Sequence, residues 1–245
     1  MLNLNKFYRS TYFGENIIAE RKLENGIWHM TTELVPNNVN NNQISNRAVV
    51  FGNGIQRKSF DVAHLLTKKS GLLGADTLQV YACNAFHRDY TPDFLVVTDR
   101  RIADQVVRSG YTHDNIVYAR VDLTLEFPKR FYLIPHDTYS DAGTTAIYLA
   151  AFDGHKRVYM VGFDNQDTPG YNNNIYAGTL GYDSLRTTIS DTKWINDKAT
   201  VFRVYDDVDF VLVSETGRQT IPEEWKYFSN LRQLSFRDMV LEADL

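Results

Sequence analysis

Apolar residues in this chain come in short continuous blocks separated by polar turns and by stretches of helical spacing, and that pattern fixes the fold class. Ala48-Val49-Val50-Phe51 is an apolar run that stops at Gly52-Asn53-Gly54, and 59–69 follow with apolar residues at Phe60, Ala63, Leu65 and Leu66, a first strand-turn-helix unit. Residues 78–82 and 94–98 read as two more strands, because uninterrupted apolar runs bounded by polar residues suit a sheet covered on both faces. A helix over 101–109 ends at Gly110, a glycine stop signal, and 115–119 and 131–134 are short strands. The alanine-rich 141–153 predicts the clearest helix and leads directly into a strand over 157–161. Residues 167–198 predict a long, partly helical loop region, 208–213 a last strand, and 231–245 a terminal segment whose form the pattern leaves open. Alternation of this kind predicts an α/β, Rossmann-like domain over 48–245, a mostly parallel sheet with helices on both faces.

Ahead of that domain the pattern changes. Six of the eight residues in PNNVNNNQ (36–43) are Pro or Asn, which predicts a linker over 36–47. Before it, two β-tending runs flank Glu24-Asn25-Gly26, and Asn-Gly is a strong hairpin signal because a type I′ turn needs positive φ at both central residues. Residues 1–35 therefore predict a β-hairpin appendage, too small to hold a core alone and suited to packing on the main domain, on a second copy or on an assembly.

Composition narrows the function classes. The formal net charge is -4 and the 26 Lys and Arg are scattered, with no basic stripe, which disfavours binding of nucleic-acid duplexes. One cysteine, Cys83, excludes an intrachain disulfide framework and suits a reducing compartment. The N-terminal residues lack a signal-peptide pattern and no run reaches the roughly 18 apolar residues of a membrane span, so the expected location is cytoplasmic.

Ligands of open α/β sheets bind beyond the carboxyl ends of the strands, so the residues there are the candidates. Gly52-Asn53-Gly54 lets backbone approach a phosphate, and the helix start after it offers N–H groups to an anion. Asn84 after the second strand supplies an amide that both donates and accepts. Asp99 could hold a ribose hydroxyl or a metal, or cap a helix, and Asp164 follows the strand at 157–161.

In this order, Gly52-Asn53-Gly54, Cys83-Asn84-Ala85-Phe86, Ser140-Asp141-Ala142-Gly143 and Val158 through Asp164 resemble the bacterial CMP-sialic-acid sialyltransferases and related Rossmann-like transferases over about residues 48–180. The Pro92-Asp93 to Thr98-Asp99 segment is more similar to the pterin pyrophosphokinase and flagellin-glycosylation branch, and the chain also looks like proteins of marine tailed phages. The first resemblance implies a CMP-linked nucleotide-sugar donor and an unknown acceptor. It implies Asn53 with the Gly52 and Gly54 amides at the phosphates, Asn84 at ribose or sugar, and Ser140 to Gly143 around base or ribose. Tyr171 and Tyr176 fall where that family uses two phenols on the departing phosphate, without a metal. The family's catalytic histidine follows the tyrosines, whereas all six histidines here lie at or before His155. His136 is then the first alternative base, with His87, Asp99, Asp164 and Asp183 behind it. Two other readings stay open: an Mg²⁺-dependent pyrophosphoryl- or nucleotidyl-transfer enzyme using Asp93, Asp99 and Asp164, and a non-catalytic phage structural protein that assembles through residues 1–35.

Overall fold

The computed structural model describes residues 4–10, 16–25, 27–35, 46–68, 78–135, 140–164, 173–184 and 191–245. Three strands, β1 (Leu4–Ser10), β2 (Asn16–Glu24) and β3 (Ile27–Val35), form an antiparallel sheet of their own. The β2–β3 pair is the expected hairpin, with Asn25 at φ 52 in its turn; Gly26 lies outside the described residues. The added strand is β1, which the sequence pattern did not separate from its surroundings. Most of the expected linker, 36–45, also lies outside them, but Asn46 already accepts the amides of Lys156 and Arg157. The large sheet thus begins earlier than residue 48.

That sheet is α/β and Rossmann-like, with eight parallel strands in the order β11-β10-β9-β4-β5-β6-β7-β8. The chain enters at its centre with β4 (Arg47–Phe51), passes α1 (Val62–Thr67), and moves outward through β5 (Gln79–Cys83) and β6 (Phe94–Val97). It continues by α2 (Arg100–Arg108), α3 (Tyr111–Asp114), β7 (Ile116–Ala119) and α4 (Val121–Glu126) to the edge strand β8 (Tyr132–Leu133). Helix α5 (Ala142–Phe152) then crosses back, and β9 (Arg157–Val161) pairs with the other side of β4. The second edge is built by α6 (Asp191–Val204), β10 (Asp209–Ser214), β11 (Leu231–Ser235) and α7 (Phe236–Glu242). Strand order reverses between β4 and β9, the crevice where such sheets take ligands.

Both faces are covered, which explains the continuous apolar runs. Val49, Phe51, Val80 and Ala82 point to one face, packed with residues of α1, α2 and α7, while Ala48, Val50, Tyr81 and Met160 point to the other, packed under α5 and α6. Ten of the eleven residues of α5 are buried, because it sits between the sheet and α6 and has no solvent face to make polar. The terminal segment resolves into β11 and α7; the β11 sequence LRQLS is half-buried on the sheet edge and so carries no continuous apolar signal. Helix α6 straddles the end of the expected loop region at 198, its apolar stripe split by that boundary.

Candidate functional site

The turn after β4 does not do what its glycines suggested. The Gly52 amide donates to the Val161 carbonyl (2.8 Å) and the Gly54 amide to the Gly162 carbonyl (2.9 Å), so neither N–H is open to a phosphate. A Cβ at Gly52 would collide with the Gly162 carbonyl, and one at Gly54 with the Asp164 carboxylate. These glycines zip the β4 and β9 turns together, with Gly162 at φ 77 on the facing side. The helix start is capped as well: the Ile55 amide donates to Asn173 Oδ1 (3.3 Å) and the Gln56 amide to Asp164 Oδ2 (3.4 Å). The expectation of Gly52 and Gly54 as phosphate donors is thereby corrected; the chain's own carbonyls and carboxylate hold those positions.

The polar side chains of the site lie beside this zipped seam. Arg57, only 3% exposed, sends NH1 to the Gly52 carbonyl (2.8 Å) and to Asn53 Oδ1 (2.9 Å), and NH2 to the Tyr176 hydroxyl (2.9 Å). Its guanidinium lies 4.7 Å from the Phe86 ring centroid, and its nearest carboxylate among the described residues, Asp89, is 3.9 Å away. Tyr176 in turn donates its proton to Asp89 Oδ2 (2.6 Å), which commits the hydroxyl expected to act on a leaving group.

Tyr182, which sequence reasoning passed over, is better placed. Its oxygen receives Asn53 Nδ2 (3.2 Å) and lies at the long limit from the Ala85 amide (3.5 Å), with the Asn84 side chain also directed at it. Its own O–H has no partner among the described residues. Burial pushes this phenol well above its ordinary value and outweighs the amides that oppose it, so it is a protonated donor at neutral pH. Asn84 supports the arrangement from a left-handed backbone (φ 46), which asparagine tolerates and which turns the chain sharply out of β5. Its Oδ1 accepts from the Thr98 amide (3.2 Å), fixing it to the end of β6.

Across the crevice, the start of α5 presents Gly143 in its first turn, with Asp141 and Ser140 just before the helix. Asp141 caps the helix through the Thr144 amide (3.0 Å), and Ser140 is 4% exposed with its carbonyl held by Arg120. Gly143 lacks a side chain because the Phe163 ring fills the space a Cβ would need. Beneath Asp141 lies a lysine the sequence reading did not single out. Lys198 is 1% exposed, donates to Thr144 Oγ1 (2.7 Å), pairs with Asp141 Oδ2 at 3.3 Å, and sits 3.6 Å from the centroid of the Trp194 ring. Burial lowers its ammonium to about 8, against the pull of Asp141. The Cys83 thiol, sensing both Lys198 and Arg57, is pushed up to about 12 by burial and stays protonated.

Asp164 is 9% exposed; its Oδ2 accepts from Asn173 Nδ2 (2.8 Å), while Oδ1 is buried without a hydrogen-bond partner. The other acids separate from it. Asp99 is the cap of α2, accepting from the Arg101 amide (2.7 Å) and the Ile102 amide (3.3 Å), so its carboxylate is committed. Asp93 accepts the Val80 amide (2.9 Å) at the amino end of β6, with the whole strand between it and Asp99. At about 3.3 Å per residue those two carboxylates stand far beyond the reach of one ion, and the Asp93–Asp99–Asp164 metal arrangement does not form. His87 directs Nδ1 at the Asn84 carbonyl (2.9 Å). His136 and Tyr171 lie outside the described residues. No family model, curated protein or solved structure matches the chain.

Proposed function

We propose that the carboxyl edge at β4, β5 and β9 binds a nucleotide of the nucleotide-sugar type, and that the chain acts as a glycosyltransferase-like enzyme on a CMP-linked, sialic-acid-like donor. The observation that carries this reading is the Tyr182 phenol at the topological switch point, its oxygen held by Asn53 and its proton uncommitted. A phenol whose lone pair already accepts a hydrogen bond is polarised toward donating its own, and it suits a phosphate oxygen that gains charge as a sugar departs. Buried Arg57, whose nearest carboxylate among the described residues is Asp89 at 3.9 Å, makes the surroundings favourable to an anion.

The test is a thermal-shift panel on the full chain with CMP, CDP, UDP, ADP, GDP and NAD, with and without Mg²⁺, followed by turnover of CMP-sugars. A nucleotide at a hundred times its Kd stabilises the fold by about 2.7 kcal/mol, a readily measured shift. Tyr182→Phe should lower turnover by roughly ten- to a thousandfold with little change in donor affinity, because the hydroxyl acts on developing charge. No melting shift with any nucleotide and no turnover of CMP- or UDP-sugars would overturn the proposal.

A further inference from the structure

Arg57 belongs to no motif, yet the donor–acceptor directions of Asn53 and Tyr176, and through Asn53 that of Tyr182, trace back to it. A guanidinium only donates. Since Arg57 NH1 lies 2.9 Å from the Asn53 side chain, Asn53 must present its oxygen there, and its Nδ2 is forced to the opposite side. That Nδ2 meets the Tyr182 hydroxyl at 3.2 Å, so Tyr182 accepts and its O–H is directed elsewhere. On its other arm NH2 donates to Tyr176 at 2.9 Å, and Tyr176 passes its own proton to Asp89. Asn53 is 9% exposed, so no bulk water competes to reorient its amide.

We infer that Arg57 is a positioning residue that sets the polarity of the site: it locks the Asn53 amide so that Asn53 and Tyr182 together offer donors, which selects an acceptor-only, phosphate-type group on the ligand. The inference deepens the nucleotide reading above and names which part of the nucleotide this corner reads. Without the guanidinium the Asn53 amide is free to turn over. Its oxygen would then face Tyr182, take up the phenol proton, and leave the corner with no outward donor.

The experiment compares CMP with cytidine, which lacks the phosphate, on the full chain carrying Arg57→Met and, as the variant that keeps a buried donor, Arg57→Lys. The expected result is a tenfold or greater loss of CMP affinity in Arg57→Met with cytidine affinity unchanged, and partial recovery of CMP binding in Arg57→Lys. Equal losses for CMP and cytidine, or a lowered melting temperature with unchanged CMP affinity, would overturn the inference. A second readout needs no ligand. In the wild-type chain the Asn53 side-chain NH2 protons should show nuclear Overhauser contacts to the Tyr182 ring, and in Arg57→Met, or in Arg57→Lys if the methionine variant does not fold, those contacts should weaken or vanish. Contacts that stay as strong as in the wild type defeat the inference on their own. If wild-type protein binds neither CMP nor cytidine while these contacts respond as expected, the nucleotide reading fails and the positioning role stands.

Discussion

The two ends of the central sheet handle charge in opposite ways. At the amino end, Arg157 and Arg232 share Asp209 (2.7 and 2.9 Å), and both also reach Glu242, which in addition accepts the Tyr159 hydroxyl (2.8 Å). Two cations meet two carboxylates in a closed set that ties α7 to the sheet. Nearby, Tyr81 donates to Asp153 (2.7 Å) with His155 at 3.0 Å, all sealed from solvent. At the carboxyl end, Arg57 is buried with its nearest acid among the described residues, Asp89, at 3.9 Å. A fold gains most from mutually satisfied polar groups, and groups left under-satisfied at a crevice point to something outside the chain.

That contrast breaks most visibly at the amino end. Asp209→Ala takes one of two carboxylate partners from both arginines, and urea unfolding should record a loss of about 2 to 3 kcal/mol, in the range for hydrogen bonds to charged groups, with nucleotide affinity unaltered. A matching loss of affinity would mean that the two edges are coupled and that the division is mistaken. The converse change, Asn84→Asp, keeps the acceptor for Thr98 and the left-handed turn but removes the amide directed at Tyr182 and adds negative charge. Titration with CMP should show affinity weakened by about 1 to 3 kcal/mol while the melting temperature stays near wild type; strong destabilisation with intact affinity would make Asn84 a purely structural residue.

Lys198 sharpens the comparison through pH. Its ammonium titrates near 8 when folded and near 10.5 in the unfolded chain, so between those values the unfolded state holds more protons. Stability should then rise with pH across that window, and Lys198→Met should lack the rise. Parallel curves for the two proteins in a melting series from pH 7.5 to 10.5 would show that the lysine is not held in a desolvated site. The smallest effect is expected from a chain beginning at Ser45. It should melt cooperatively within error of the full chain, any loss being confined to assembly, whereas an insoluble product would make β1–β3 part of the core.

Much of this was legible in the sequence because it is local. Continuous apolar runs located β4, β5, β6, β9 and β10, and Asn53 and Asn84 could be chosen because they follow such runs. The glycines of the first turn were read for a phosphate, but they serve backbone packing against a turn that only the tertiary fold brings near. Asp99 offered both a ligand role and a cap, and the α2 amides decided for the cap. Arg57, Tyr182 and Lys198 carry no sequence motif; they matter through convergence in space. Only Lys198 left a trace, a charge in the buried stripe of Trp194, Ile195, Ala199, Val201 and Phe202 on α6.

The seam between β4 and β9 also dictates when the site can come into being. Its hydrogen bonds, Gly52 to Val161 and Gly54 to Gly162, join the first strand of the sheet to its sixth, so they close the longest loop in the central sheet. A chain emerging from the ribosome can build β4 through β8 by neighbouring additions, but until β9 arrives one side of β4 stands as a bare strand edge, open to pairing with another chain. Addition of β9 covers that edge of β4 and assembles the crevice in one event, and β10 and β11 then cover the edge of β9 in turn. Closure of the crevice and protection of the β4 edge therefore share a single late step of folding, and a chain cut short before β9 loses both together.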